Sequence, residues 1–249
     1  MVAAGVAGLL LYVWRDARAG LRFVLLPVVY FVLIGGGQTA FARHIIPTLP
    51  FLCLGAAYCA RELARTMERL MPSRVPAALP GLVIAAIVAL PSARSSIETD
   101  RLLSRTDSRL LAADWILEQF PDGVTIYQSG SSYAQVQFPV LADRGTPRFR
   151  EVGFDEPSGS FLTRDGVSAE PPDLIVRPRC ALSYCDVPPR LTAVLAGYTL
   201  LATIVAVDPT AGSQLVYDRD DAFFVPLAGF AGALRPGPDE LIYGRRSTP

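Results

Sequence analysis

The chain of 249 residues balances 23 arginines against 23 acids and contains no lysine, so its formal net charge is zero. It is 51% hydrophobic with a mean hydropathy of +0.35, too apolar for an ordinary water-soluble domain of this length. No block of like charge resembles a nucleic-acid surface, which excludes nucleic acid as a partner.

The apolar residues are gathered in the first 93 positions. Residues 1–14 (MVAAGVAGLLLYVW) form a run too short to cross a bilayer alone, since about 17–20 residues are needed at 1.5 Å each. No basic segment precedes it, as a signal peptide requires, and Ala17-Arg18-Ala19 offers only a weak cleavage site. The run is read as the remainder of a helix, with the natural protein expected to extend upstream. Residues 23–42, 45–60 and 75–93 contain no Asp, Glu, Lys, Arg or His. Two of these runs meet the length rule and 45–60 falls just short of it.

Arginine placement orients these runs. Arg15, Arg18 and Arg22 separate the first two, and Arg61, Arg65, Arg69 and Arg74 separate the last two. Cytoplasmic loops carry the Arg excess. Four crossings then leave the 35–44 loop (GGGQTAFARH) and everything after residue 93 outside the cytoplasm. Pro47 and Pro50 fall in the first turns of the third span, where missing N–H groups cost little. Gly35, Gly36 and Gly37 loosen the end of the second. Residues 61–74 are expected to form a short amphipathic helix, with Met67, Leu70 and Met71 on an edge that can lie on membrane lipid. A solvated connector is the alternative.

Beyond Ser92 the pattern is that of a soluble domain. TDSRLLAADWILEQFPDG reads as a helix capped by Thr106 or Asp107 and stopped by Pro-Asp-Gly. Strands are expected at 124–130, 148–152, 173–176, 198–207, 222–227 and 240–245, a further helix at 187–196, and a loop over 153–172, rich in Gly, Pro, Ser and acids. The fold class is therefore a membrane α-helical bundle of about four spans (1–14, 23–42, 45–60 and 75–93, within 1–93). A small extracytoplasmic α/β domain over 94–249 follows it. The absence of Lys and Asn, whose codons are AT-rich, points to a GC-rich, bacterial source. The expected location is the bacterial inner membrane.

Few residues offer chemistry. Cys53 and Cys59 lie in the third run and read as packing residues. Cys180 and Cys185, with four residues between them in the outward domain, read as a local disulfide rather than a metal site. His44 is the only histidine, so a Ser-His-Asp triad or His-based metal cluster has no other candidate. Asp218, Asp220 and Asp221 suggest either a cation site or, more simply, a solvated turn. The 127–133 loop (YQSGSSY) follows a strand and has the composition to accept an anion. No metal or organic cofactor is expected from these patterns.

Three stretches together resemble one family. RHIIPTLPFLCLGAAYCARELAR resembles the R-[YH]-x-x-P-x-x-P span late in the membrane region of bacterial relatives of protein O-mannosyltransferases and aminoarabinose transferases. These are glycosyltransferases of the C-type membrane fold. DSRLLAADWILEQFPDGVTIY is similar to the helix–strand opening of their outward domain, and YDRDDAFFVPLAGFAGALRPGPDELIY to the ending of a bacterial subgroup. The resemblance implies transfer of a sugar from a polyprenyl-phosphate donor to an extracytoplasmic acceptor. It also implies that Arg43, with His44 beside it and Gln38 nearby, contacts the donor phosphate, because a guanidinium forks onto phosphate oxygens. Any divalent cation would belong to the full enzyme rather than to residues singled out here. The family's catalytic acid lies in its first outward loop. Here the 35–44 loop has no acid and Asp16 falls on the cytoplasmic side. No catalytic residue is therefore assigned, and the chain alone is expected to be inactive, completed by an N-terminal segment or a partner chain. The alternative is a non-enzymatic membrane protein whose outer domain binds glycan or a partner.

Overall fold

The computed structural model describes residues 1–37, 41–70, 76, 78–138, 148–210, 215–221 and 223–246. The chain divides into two compact units, Met1–Glu98 and Thr99–Pro249.

The first unit is helical. α1 (Val2–Arg15) and α2 (Ala17–Gly35) are separated by one residue, Asp16, whose carboxylate accepts a hydrogen bond from the Ala19 amide. A 3-10 segment (Ala42–Thr48) leads directly into α3 (Leu49–Leu70), and α4 runs from Ala78 to Leu103. Pro47 therefore precedes α3, and Pro50 sits in its first turn, where no intrahelical N–H bond is lost. Residues 61–70 are not a separate amphipathic helix, and 71–74 lie outside the described residues. Residues 61–70 continue α3 without a break, because good helix formers (Arg, Glu, Leu, Ala, Met) follow the apolar turns.

Glycines decide how α1 and α3 meet. A Cβ on Gly5 would press on Leu52, one on Gly8 would fall on the Gly55 carbonyl, and one on Gly55 on the Gly5 carbonyl. Only backbone against backbone fits there, as in close-packed membrane helix pairs. Contacts between Gly5 and Leu52, Gly8 and Gly55, and Arg15 and Glu62 rise together in number, so α1 and α3 are parallel. α2 turns back against α1, with Gly20 on Val13 and Phe23 edge-on to Tyr12.

Among the described residues, two helical stretches are long and apolar enough to cross a membrane: Ala17–Gly35 and Leu79–Gln119, which begins in α4. α1 has 14 residues, and the apolar part of α3 begins only at Leu49 because the 3-10 segment takes the positions before it. Among the described residues, length and composition thus support two candidate spans rather than the four expected.

The second unit is an α/β domain. α5 (Ser108–Gln119) precedes β1 (Thr125–Gln128). β2 (Arg150–Glu151), β6 (Leu174–Arg179), β7 (Tyr198–Ile204) and β8 (Asp239–Arg245) join β1 in one sheet of order β2-β1-β6-β8-β7. β1 runs parallel to β2 and β6, whereas β8 is antiparallel to β6 and β7. α5 covers one face through Ala112, Ala113 and Ile116 against Ile126, Leu174, Val176 and Ile242. The other face buries Tyr127, Ile175 and Tyr198 with Phe161 and Leu191, the last from the single turn α6 (Leu191–Val194).

Two expectations fail here. Residues 153–172 are not loop: β3 (Gly153–Asp155), β4 (Ser160–Leu162) and β5 (Ser168–Ala169) form an antiparallel sheet. Phe154 and Phe161, cross-strand partners with rings 5.2 Å apart, anchor it despite its polar composition. The second is 222–227, where the described residues hold no strand. Phe224 has φ +53, a left-handed conformation incompatible with a strand, and its buried ring packs with Ala134, Leu182 and Cys185. α6 is also shorter than the helix expected over 187–196, since Pro188 and Pro189 occupy its approach.

The RPGP turn before β8 holds the start of α5. Asp107 caps α5, while the Ser108 amide donates to the Pro236 carbonyl and its hydroxyl to Pro238. Gly237 has φ +100, and any Cβ there would strike the Ser108 hydroxyl. The turn therefore requires glycine twice over.

Candidate functional site

The 3-10 segment Ala42–Thr48 begins at Phe41, whose backbone is extended and whose carbonyl accepts from the His44 amide at 2.9 Å. With three residues per turn, positions i and i+3 stack. That places the His44 ring edge-on to Phe41, with centroids 5.3 Å apart. The Arg43 guanidinium lies over the same ring at 4.2 Å, a cation–π contact. One aromatic ring thus organises both side chains, with Arg43 exposed and His44 half-buried. The His44 Nδ1 is buried without a hydrogen-bond partner. Buried Thr48 closes the segment by donating to the Ile45 carbonyl. Gln38 lies outside the described residues.

Chemically, this turn sets an exposed guanidinium beside a half-buried imidazole. It is suited to an anion with several acceptor oxygens, because a guanidinium donates two parallel hydrogen bonds. Phe41 was not singled out by sequence. The signal was there: an aromatic residue three positions before His44 in a segment whose proline disfavours an ordinary helix.

Two acids of the first unit, Asp16 and Glu62, are engaged elsewhere. Asp16 caps α2. Glu62, 7% exposed, receives Arg15 at 2.5 Å, Arg65 at 3.0 Å and Arg61 at 3.3 Å. Sequence spacing foreshadowed only the Arg65 contact, at i,i+3. Arg15 comes from another helix, and nothing local announces it.

In the second unit, Cys180 and Cys185 are disulfide-bonded, with Cα atoms 5.7 Å apart. Cys53 and Cys59 are free thiols on α3. The aspartates form a turn: Asp218 accepts from the Asp220 amide, and the Asp220 carbonyl receives the Tyr184 hydroxyl. Among the described residues, no three His, Cys, Asp or Glu side chains gather as metal ligands. The 127–133 loop is occupied by its own bonding. Its Ser129 and Ser131 amides donate to the Val176 and Tyr184 carbonyls, which leaves those donors unavailable to an anion.

Glu240 on β8 is fully buried and neither carboxylate oxygen has a hydrogen-bond partner. It pairs across the sheet with Pro178 and Ile204. Burial pushes its pKa up to about 9, with Asp107 and Asp239 adding to the rise and Arg109 opposing it. The group is a neutral acid at pH 7.

No protein-family model, curated protein or solved structure matches the chain.

Proposed function

We propose that the chain is the donor-binding part of a membrane glycosyltransferase that takes its sugar from a polyprenyl phosphate. In this reading Arg43 and His44 contact the donor phosphate on the extracytoplasmic side. The observation that carries the proposal is the gathering of both side chains on the Phe41 ring at the entrance to α3. The parallel run of α1 and α3 supports a four-crossing arrangement, because two spans separated by one other must point the same way. Burial supports the membrane reading as well. The most apolar windows of the two candidate spans are only 11% and 6% buried, unlike the core helix of a soluble protein.

General-base chemistry falls to a carboxylate supplied from outside these residues, since Asp16 and Glu62 are committed to a helix cap and to arginines. General-base help is worth about 10²- to 10⁴-fold. Residues 1–249 alone, in detergent with radiolabelled polyprenyl-phosphate sugar, are expected to give no measurable transfer, and adding a segment with an acidic outward loop should restore it. Robust transfer by the chain alone would overturn this division of labour and move attention to Asp218, Asp220 and Asp221. The same engagement of Asp16 and Glu62 favours a second reading, a non-enzymatic membrane protein that keeps the phosphate contact. Under it, no added segment restores transfer.

A further inference from the structure

Midway along α1 and in the first half of α3 lies a feature that donor binding leaves unused. A cleft of 250 Å³ opens between α1, α2 and α3. Gly8 and Gly55, without side chains, form its floor, and Tyr12, Phe23 and Tyr58 form its walls. The aromatic walls support one another: Tyr12 lies 5.3 Å from Tyr58 and 6.2 Å from Phe23 between ring centroids. The volume is just below the roughly 300–1,000 Å³ of small-molecule pockets, so the cleft takes part of a chain rather than a whole ligand.

Its rim is cationic. Arg61 stacks over Tyr58 at 4.8 Å, which joins the rim to the wall. Arg15 stands three residues beyond Tyr12 and meets Arg61 and Arg65 around Glu62. Three guanidinium groups surround one carboxylate, and the side chains of Arg15, Arg61 and Arg65 remain 50%, 54% and 53% exposed. Glu62 holds them in place without neutralising them, leaving two positive charges directed at solvent. An apolar slot one helical turn below a held excess of positive charge is complementary to an acyl chain below an anionic headgroup.

We infer that this cleft binds one acyl chain of an anionic phospholipid whose headgroup rests on Arg61 and Arg15. The inference depends on the membrane reading above, but it concerns residues further along α3 than Arg43. By the arginine bias, Arg15 and Arg61 face the cytoplasmic leaflet.

The test uses residues 1–249 purified in neutral detergent. Native mass spectrometry reads retention of dioleoylphosphatidylglycerol, dioleoylphosphatidylcholine and glycerol phosphate. Phosphatidylglycerol should be retained over phosphatidylcholine, and Arg61→Gln should reduce that preference by about fivefold, the contribution of one arginine near an anionic surface. Glycerol phosphate, which lacks the chain, should not be retained. Leu54→Trp, at a cleft-lining position that is 57% exposed and so has room for the larger ring, should remove the retained lipid while circular dichroism stays unchanged. Equal retention of the two lipids, a preference untouched by Arg61→Gln, or a second copy of the chain cross-linking through the cleft would each overturn the inference. Carbonate extraction of native membranes is the separate control. Release of the chain overturns the membrane reading, whereas firm retention without lipid preference overturns only the lipid site.

Discussion

In the first unit Leu26, Val32, Leu33, Leu82 and Leu90 are each 65–72% exposed, whereas in the second Ile116, Ile126, Leu174, Ile175 and Ile242 are 0% exposed. Both units are rich in the same residue types. The second removes these core residues from water by folding, at roughly 25 cal/mol for each Å² buried. The first leaves such residues on the outside of α2 and α4, where contact with water would forfeit that gain. The membrane proposed above would supply such exposed apolar surface with another apolar medium. Even the internal prolines agree: Pro27 and Pro91 sit inside α2 and α4, a placement that membrane helices tolerate better than water-exposed ones.

The sharpest way to break this comparison is to ask where each part of the chain lies. Alkaline phosphatase fused after residue 40 or 130 should be active, and fused after residue 68 inactive. Equal activity at 68 and 130 would end the four-crossing arrangement, since an odd number of crossings must separate those points.

Substitution sharpens it further. Ile126→Ala in the buried sheet should lower stability by about 2–5 kcal/mol, read by thermal unfolding in detergent. Ile87 is 67% exposed on α4, and Ile87→Ala should change stability by no more than about 0.5 kcal/mol. Ile87→Asp should instead cost about 2.5–3.5 kcal/mol of membrane insertion. If Ile87→Asp inserts as well as the parent chain, α4 does not face lipid.

The pH dependence of stability tests the interior of the second unit. Glu240 has a folded pKa of about 9, above the unfolded value of roughly 4.3. A carboxyl raised in this way costs nothing while both states are protonated. As pH rises through the unfolded pKa, the unfolded chain ionises and the folded one does not. Stability should then fall by about 1.4 kcal/mol per pH unit up to the folded pKa and level off above it. Glu240→Gln should flatten that slope between pH 5 and pH 9 in thermal unfolding. An unchanged slope would mean that other groups set the pH response.

How much of this was legible in the sequence depended on how local the cause was. β1, β6, β7 and β8 are continuous apolar or alternating runs and stand close to where periodicity placed them. β6 runs on through Pro178 to Arg179, although a proline normally ends a strand away from an edge. The β3–β5 sheet was hidden because its strands are two or three residues long and rely on Phe154 and Phe161 rather than on a pattern. AFFVPL has strand composition, but Phe224 turns left-handed to fill a pocket built by distant residues. At the turn before α3, Arg43 and His44 were legible as a basic pair. Their shared support on Phe41 follows from 3-10 geometry, which residue types alone do not announce. The meeting of Arg15 with Glu62 depends on the parallel packing of α1 and α3, a tertiary fact.

The central claim is that Arg43 presents a phosphate-binding cation at the entrance to α3, and donor binding tests it most directly. Binding of a polyprenyl-phosphate sugar to residues 1–249 in detergent should weaken by about 1.5–3 kcal/mol in Arg43→Ala, the worth of a hydrogen bond to a charged group. Arg43→Lys should recover only part of it, since the charge stays and the fork is lost. Equal affinity of the parent chain and Arg43→Ala, both folded by circular dichroism, would contradict the account.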